Sequence, residues 1–314
     1  MEIYQGHTDI PDTGRGFVIA LGNFDGVHQG HRVVIALAKK LADDTGAPLA
    51  VALFKPHPRS FFAPEARAFR LMSERHRNET LSRLGVSCVY ELAFDAAMAK
   101  MSAEGFVDNV LHKGLGVRGI VTGADFRFGA DRAGAVSDLE TLGQARNIKT
   151  AFAPLHDNGV DKVSSTRIRK AIHDGDMKAA KELLGQSWSL DGIVIRGDQR
   201  GRTIGFPTAN IDMRDFARPA YGVYAVEVVL DGESEKRPGV ANIGKRPTVD
   251  GDTELLEIHL LDFAGDLYGR ELSVEFHEYL RAEQRFDGLE ALKEQIQKDA
   301  FSARHVLSAV AGPA

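Results

Sequence analysis

Phe17-Val18-Ile19-Ala20-Leu21-Gly22-Asn23-Phe24-Asp25-Gly26-Val27-His28-Gln29-Gly30-His31 runs from an apolar segment into a glycine-rich turn. Phe17–Leu21 reads as a buried strand. The residues after the turn read as a helix with Val34, Leu37, Ala38 and Leu41 on one face. Three glycines and two histidines therefore occupy a strand-to-helix turn. Glycines there let backbone N–H groups approach an anion, and a helix N-terminus favours negative charge. His28 and His31 add donors, so the turn suits the phosphates of a nucleotide. The same spacing also reads as half of a metal site completed by His57 or Asp125, or as a tight turn carrying surface histidines. A neutral histidine pair among glycines suits phosphate better than metal.

The first half of the chain continues in the same rhythm. Apolar runs at Leu49–Phe54, Val86–Leu92, Val117–Thr122 and Thr150–Ala153 alternate with helical patterns near His31–Ala42, Glu74–Leu84, Ser102–His112 and Asp138–Arg146. Strand and helix in alternation predict right-handed crossovers and a parallel sheet covered on both faces, an α/β fold. Ligands of such sheets bind beyond the carboxyl ends of the strands. Gly22–His31, Pro56-His57-Pro58 and Gly123–Gly129 all follow strands directly.

Two further helices are expected near Ser165–His173 and Asp176–Leu184. From Trp188 onward the pattern becomes strand-like: Gly192–Arg196, Val223–Leu230, Leu255–Phe263 and Glu271–Phe276, punctuated by Gly, Pro and Asp. This predicts an antiparallel barrel or sandwich. A last helix follows, with Asp287 and Glu290 as a capping signature and Leu289, Leu292 and Ile296 on one face. The expected boundary lies near Gly185–Ser187, giving domains 1–184 and 187–314.

The composition narrows the function. In 314 residues the formal net charge is −5, which gives no electrostatic case for nucleic acid. Cys88 is the one cysteine, so no internal disulfide and no Cys-rich metal site is possible. No run approaches the roughly 18 apolar residues of a membrane span, and no signal-peptide pattern is visible at the N-terminus. Together these lead us to expect a cytoplasmic protein without a membrane partner. The composition says nothing of oligomeric state.

A second motif, Val163-Ser164-Ser165-Thr166-Arg167-Ile168-Arg169, opens a helix. Ser164 or Ser165 suits its N-cap, and Arg169 lies one turn after Thr166 on the same side. By itself this is equally a capped surface helix.

Together the two motifs resemble the nucleotidylyltransferase superfamily, with Val163 where Ile is usual. Gly-Asn-Phe-Asp-Gly-Val-His at 22–28, Phe54-Lys55-Pro56-His57-Pro58 and Gly123-Ala124-Asp125-Phe126-Arg127-Phe128-Gly129 resemble more closely the FMN adenylyltransferase half of the prokaryotic bifunctional riboflavin kinase/FAD synthetases. The resemblance spans 17–184. It implies attack of an FMN phosphate oxygen on the α-phosphorus of ATP with release of pyrophosphate. It also implies that His28 and His31, with Gly22 and Phe24 beside them, lie on the ATP phosphates. Ser165, Thr166 and Arg169 would hold the leaving β/γ end, and Asp125 the adenosine side. Pro56, His57 and Pro58 would shape the flavin side.

In the second half, Gly201-Arg202-Thr203-Ile204-Gly205-Phe206-Pro207-Thr208-Ala209-Asn210 is a glycine-rich loop running into an extended segment. Residues i and i+2 of such a segment share a side, so Thr208 and Asn210 can offer two oxygens to one Mg²⁺. The alternative is a loop whose polar side chains satisfy their own backbone. In Leu255–Leu260, Glu257 and His259 share the face opposite Leu256, Ile258 and Leu260. Glu257 is a candidate base if that face lines the barrel interior, and an ordinary surface residue if it faces water. Gly239–Lys245 mimics a P-loop, but Arg246 stands where Ser or Thr must bind Mg²⁺.

These segments, with Asn242–Thr248 and Leu260–Gly269, resemble the riboflavin kinase family over about 187–300. The resemblance implies a six-stranded barrel and transfer of the ATP γ-phosphoryl group to a riboflavin ribityl hydroxyl. Glu257 falls on the family's catalytic base and Thr208 and Asn210 on its Mg²⁺ ligands. Gly201, Arg202, Gly205, Pro207 and Thr208 would lie along ATP, and Arg281 and Phe286 would close over the flavin. The expected function is therefore synthesis of FMN and then FAD from riboflavin and ATP on one chain. A riboflavin kinase with a silent N-terminal domain and a non-catalytic flavin sensor are the alternatives. The intact motif residues argue against both.

Overall fold

The computed structural model describes residues 1–65, 68–154, 163–196, 205–213, 215–248 and 251–311. The chain divides into two compact units: Met1–Arg67 with Glu74–Ser164, and Ala68–Ser73 with Ser165–Ala314.

The first unit is built on a parallel sheet of β1 (Glu2–Gln5), β2 (Val18–Leu21), β3 (Leu49–Lys55), β4 (Cys88–Ala93), β5 (Gly119–Gly123) and β6 (Lys149–Ala153) in the order β1-β4-β3-β2-β5-β6. Every pairing is parallel. The central strands are apolar throughout because both faces are covered. On one face lies α1 (Gln29–Thr45), which buries Val34, Ile35, Ala38 and Ala42 against β2, β3, β5 and β6. It ends at Gly46, whose left-handed backbone (φ 61°) closes the helix. On the other face Ile19, Leu21, Tyr90 and Leu92 pack with Phe106, Val107, Val110 and Leu111. Each such apolar side chain contributes about 1.5–3 kcal/mol when fully buried. Cys88 lies in this core, where burial pushes its thiol up to about 12, so it is an inert packing residue.

Short helices α2 (Pro58–Phe62), α3 (Glu74–Arg83), α4 (Ala96–Ala99), α5 (Ala103–Gly105) and α6 (Val136–Gln144) fill the connections. The helix expected at Ser102–His112 is instead α5 followed by a π-helix, Phe106–Gly114. Its wider turn sets Phe106, Val107, Val110 and Leu111 all into the core. Strand β1 has no counterpart in the sequence reading. It is four residues long, largely exposed and on the sheet edge, so it carries no apolar signal.

The second unit starts with α7 (Ser165–His173) and α8 (Met177–Leu184, capped by the Asp176 side chain). Six antiparallel strands follow: β7 (Trp188–Ile193), β8 (Ala209–Asp212), β9 (Gly222–Leu230), β10 (Arg237–Thr248), β11 (Gly251–Leu260) and β12 (Glu271–Arg281), ordered β7-β12-β9-β10-β11-β8. The Ile195 N–H donates to the Asn210 carbonyl at 2.8 Å, a bridge that joins the two ends of the sheet into a barrel. The barrel interior is apolar. Trp188, Leu190 and Gly192 of β7 pair with Phe276, Val274 and Leu272 of β12, while Leu256 and Ile258 of β11 pair with Ile211 and Ala209 of β8. Gly192 is the small residue that admits Ile211, because a Cβ there would lie 2.2 Å from Ile211 Cγ2.

Helix α8 buries Met177, Ala180, Leu183 and Leu184 and packs on β7 and β12. The contact division thus falls at Ser164/Ser165, ahead of the Gly185–Ser187 boundary read from sequence, because α8 is amphipathic toward the barrel. Residues 68–73 also join this unit: the Trp188 indole N–H donates to the Leu71 carbonyl at 2.9 Å. The terminal helix α9 (Leu289–Ala311) covers part of the barrel's outer face, packing Ala300, Ala303 and Leu307 on Val223, Ala225 and Val240. It begins one residue later than the Asp287 capping signature implied. Gly288 supplies the first accepting carbonyl, and Leu289 is 50% exposed rather than on the buried face.

Candidate functional site

In the first unit the chain runs outward from β2 through β3 to β4 and then returns to β5 on the other side of β2. This reversal opens a crevice at the carboxyl ends of β2 and β5, where ligands of such sheets bind. The Gly22–His31 and Gly123–Gly129 turns follow those two strands.

The first turn is strained and tightly packed. Phe24 (φ 52°) and Val27 (φ 39°) are both left-handed and both buried, and a β-branched residue rarely adopts that backbone. The strain is offset by packing and aims the next residues. His28 is the N-cap of α1: its Nδ1 accepts from the His31 N–H at 3.2 Å. The two imidazoles stack with centroids 3.6 Å apart, and the Phe24 ring lies 5.1 Å from His31. His28 is 5% exposed, so the surface-histidine reading fails. A Cβ at Gly30 would meet the His28 ring at 3.2 Å and the Val163 carbonyl at 3.4 Å, so the second motif begins against this turn. Among the described residues no third His, Cys, Asp or Glu joins His28 and His31 around one point. Neither His57 nor Asp125 joins the pair in such a group among the described residues.

His57 caps α2 by accepting from the Arg59 N–H at Nδ1 (3.0 Å), with Pro58 opening the helix. The Lys55–Pro56 peptide is cis. A chain of ring contacts then runs along the carboxyl edge. Phe62, Phe61 and Phe54 each meet Phe94, Phe54 meets Phe106, and Phe106, Phe128 and Phe126 follow. It links the Pro-His-Pro loop to the Gly123–Gly129 loop, in which Asp125 is exposed. Phe61 and Phe62 are adjacent in the sequence just after the strand-end loop, and Phe62 is 68% exposed.

Below the same edge, Glu91 is 4% exposed and takes Lys55 (3.0 Å), Arg77 (3.1 Å) and Gln5 (2.9 Å). Burial alone would raise its pKa. The Gln5 hydrogen bond and the Lys55 and Arg77 charges outweigh that and hold it below the ordinary glutamate value. The Lys55 end of β3, next to Pro56, is thereby fixed.

The second motif crosses the division between the units: Val163 and Ser164 belong to the first, and Ser165, Thr166 and Arg169 to the second. Ser165 opens α7 and is half-buried, while Thr166 is exposed. Arg169 Nε donates to the Phe69 carbonyl at 2.7 Å, and its guanidinium stacks 5.0 Å from the Phe69 ring.

On the barrel, Glu257 faces neither the interior nor open water, which corrects the choice posed from sequence. Leu256 and Ile258 fill the interior, and Glu257 lies half-buried on the outer face. There it pairs across strands with Asn210 of β8 and Asn242 of β10, and the same row continues through Val223 to Arg281. Asn210 is 6% exposed, and Thr208 precedes it by two residues. Over the neighbouring position, His259 Nδ1 donates to the Pro207 carbonyl at 3.0 Å and Phe206 meets the ring edge-on. Asn242 was not selected from sequence, because register across strands is invisible there. Gly205 (φ 89°) is exposed. Gly201 and Arg202 lie outside the described residues.

A cleft of about 520 Å³ opens beside Thr208, walled by Pro207, Leu260, Phe263, Leu267 and Tyr268. At the other end of the row, Arg281 pairs with Asp299 of α9 through two hydrogen bonds of 2.8 and 2.6 Å and lies 5.9 Å from the Phe286 ring. Asp299 is buried and also takes Gln295 at 2.9 Å, so the terminal helix orients Arg281.

Comparison with known proteins gives one consistent answer. The FAD synthetase family model matches residues 10–167, and the riboflavin kinase family model matches 184–307. A bifunctional riboflavin kinase/FMN adenylyltransferase of Pseudomonas fluorescens is 43% identical over 97% of both chains. The protein of that name from Escherichia coli K12 is 42% identical over 92% of both, and the one from Bacillus subtilis 37% over 91% of both. A crystal structure from Streptococcus pneumoniae, described as a macrolide-efflux protein, superposes with a TM-score of 0.86 at 32% identity, covering 97% of this chain and 99% of that one. Among the described residues no helix is long and apolar enough to cross a membrane. With both family regions present in order and relatives matched end to end, the chain belongs to the bifunctional riboflavin kinase/FMN adenylyltransferase family, the riboflavin kinase in its C-terminal part and the FMN adenylyltransferase in its N-terminal part.

Proposed function

We propose that the two reactions use separate residue sets, one within 1–184 and one within 187–314. The observation that carries the kinase assignment is the cross-strand pairing of Glu257 with Asn210. Glu257 accepts the proton of the riboflavin ribityl hydroxyl as that oxygen bonds to the γ-phosphorus and the bond to ADP breaks. The Thr208 hydroxyl and the Asn210 side-chain carbonyl are hard oxygen donors, one of them buried beside a carboxylate, and they fit Mg²⁺. When bound, that ion neutralises phosphate charge. The aromatic and aliphatic cleft at Phe263, Leu267 and Tyr268 suits the adenosine of ATP, with Gly201, Arg202, Gly205 and Pro207 along the phosphates. Arg281 and Phe286 hold the flavin from the other end of the row.

For adenylyl transfer, the N-terminus of α1 with His28 and His31 stabilises the charge that develops on the ATP phosphates. Gly22 and Phe24 shape that turn, and Asp125 takes the adenosine side. An FMN phosphate oxygen bonds to the α-phosphorus while the bond to pyrophosphate breaks. Ser165, Thr166 and Arg169 are assigned to the leaving phosphates by their motif. Pro56, His57 and Pro58 position the exposed Phe62 ring, which offers the isoalloxazine an apolar stacking surface. A buried single cysteine and a net charge of −5 support a cytoplasmic enzyme of small molecules rather than nucleic acid.

A chromatographic time course of riboflavin with ATP and Mg²⁺ tests the reading. FMN rises first and FAD follows. FMN without FAD would remove His28 and His31 from a working site.

A further inference from the structure

Strand β12 carries a bulge that the flavin chemistry does not use. Phe276 pairs with Val226 and Glu278 with Ala225, so His277 is an inserted residue without a register partner. Bulges re-aim side chains and cluster at functional positions. Here the bulge brings the imidazole over Glu227 and Glu275, which are themselves direct cross-strand partners on the outer face of β9 and β12. Two like charges placed opposite each other are destabilising without a counter-charge.

Lys236, just ahead of β10, supplies one: its Nζ lies 2.7 Å from Glu275 and 3.3 Å from Glu227. It is half-exposed and reaches the carboxylates from the solvent side. The His277 side chain is 3% exposed. Its Nε2 lies 3.0 Å from Glu227 Oε2 and 4.0 Å from Glu275 Oε2, is buried, and makes no aligned hydrogen bond among the described residues. One nitrogen and two carboxylate oxygens thus lie within 4.8 Å of one another.

We propose that Glu227, Glu275 and His277 form a binding site for a first-row divalent cation of the zinc class, with the Lys236 ammonium as its exchangeable competitor. An imidazole with two carboxylates is a borderline donor set that favours zinc or cobalt over magnesium. Burial holds the His277 ring below its ordinary pKa against the pull of Glu227 and Glu275. Lys181 pushes the same way as burial. Lys236 has only to swing outward to yield the position. The ion would tie β9 to β12 at the bulge, on strands that do not pair with β8, where the proposed Mg²⁺ ligand Asn210 sits.

The test is calorimetric titration of chelator-stripped full chain with Zn²⁺, with Co²⁺ absorption as the second readout. One equivalent binds in the wild-type chain, is lost in Glu275→Gln, and tightens on the order of tenfold or more in Lys236→Ala, the scale on which outer partners tune metal sites. The Co²⁺ visible band disappears in His277→Gln. Absence of any zinc equivalent overturns the proposal. So does an equivalent unchanged in Glu275→Gln, or weakened in Lys236→Ala. If His277→Gln does not fold, the two more exposed variants decide the matter.

Discussion

Asn210 and Glu257 face one another across β8 and β11, with Asn242 completing the row from β10. Opposed side chains in such a ladder have Cβ atoms about 4.5–5.5 Å apart. The amide proposed to bind Mg²⁺ and the carboxylate proposed as base are therefore held together by backbone register.

Replacing Glu257 by Gln keeps the shape of that row and removes the proposed base. FMN formation falls by about 10²–10⁴-fold, the usual worth of a positioned acid or base. Conversion of supplied FMN to FAD stays near wild type. Flavin chromatography with either substrate separates the two, and equal loss of both activities would contradict separate residue sets.

The reciprocal variant is His31→Ala. It removes the ring stacked 3.6 Å from His28 while leaving the backbone N–H that His28 accepts. FAD formation drops by about 10²-fold, comparable to loss of one charge-stabilising donor, and FMN formation persists. Pyrophosphate release measured with FMN and ATP checks it; an unchanged rate would take His31 out of the site.

Packing of the barrel interior hinges on Gly192 and Ile211. Gly192→Ala forces a methyl to within 2.2 Å of Ile211 Cγ2 and destabilises the chain by about 1–3 kcal/mol. When it is combined with Ile211→Ala, the total loss is smaller than the sum of the two single losses, because the second change removes the clash. Denaturant midpoints of the single and double variants provide the comparison, and strict additivity would show that the two residues do not meet.

Glu91 links stability to acid. Its folded pKa is lowered, so its ionised form stabilises the fold fully above the unfolded value of 4.5. That contribution is lost as pH falls from there through the lowered folded value. Glu91→Gln leaves Lys55 and Arg77 without their shared carboxylate and costs about 2–3 kcal/mol at pH 7. This is below the usual loss for a fully buried pair, because Lys55 is 44% exposed. In urea melts the variant flattens the wild-type decline below pH 4.5; parallel pH curves would rule Glu91 out as its source.

Several parts of this molecule are legible in the sequence. The strand-turn-helix at Phe17–His31 and the alternation of the first half predicted the parallel sheet, because strands covered on both faces must be apolar throughout. The exposed edge strand β1 and the π-helical turn at Phe106–Gly114 were not legible. The first has no apolar pattern, and the second keeps a helical pattern while changing its pitch. In the second half the positions of Thr208, Asn210 and Glu257 could be picked out, but not what they face.

The sequence by itself determined the parallel α/β class of the first half, the antiparallel β class of the second, and the glycine-rich turns proposed to serve phosphate, because periodicity and turn chemistry are local. Only the tertiary structure decided which residues meet. Strand order placed the turns after β2 and β5 at one crevice, and barrel register set Glu257 beside Asn210 and Asn242 rather than inside the apolar core. A one-residue bulge turned His277 toward two carboxylates. Each of these depends on pairing between distant strands, and a shift of one residue sends a side chain to the opposite face.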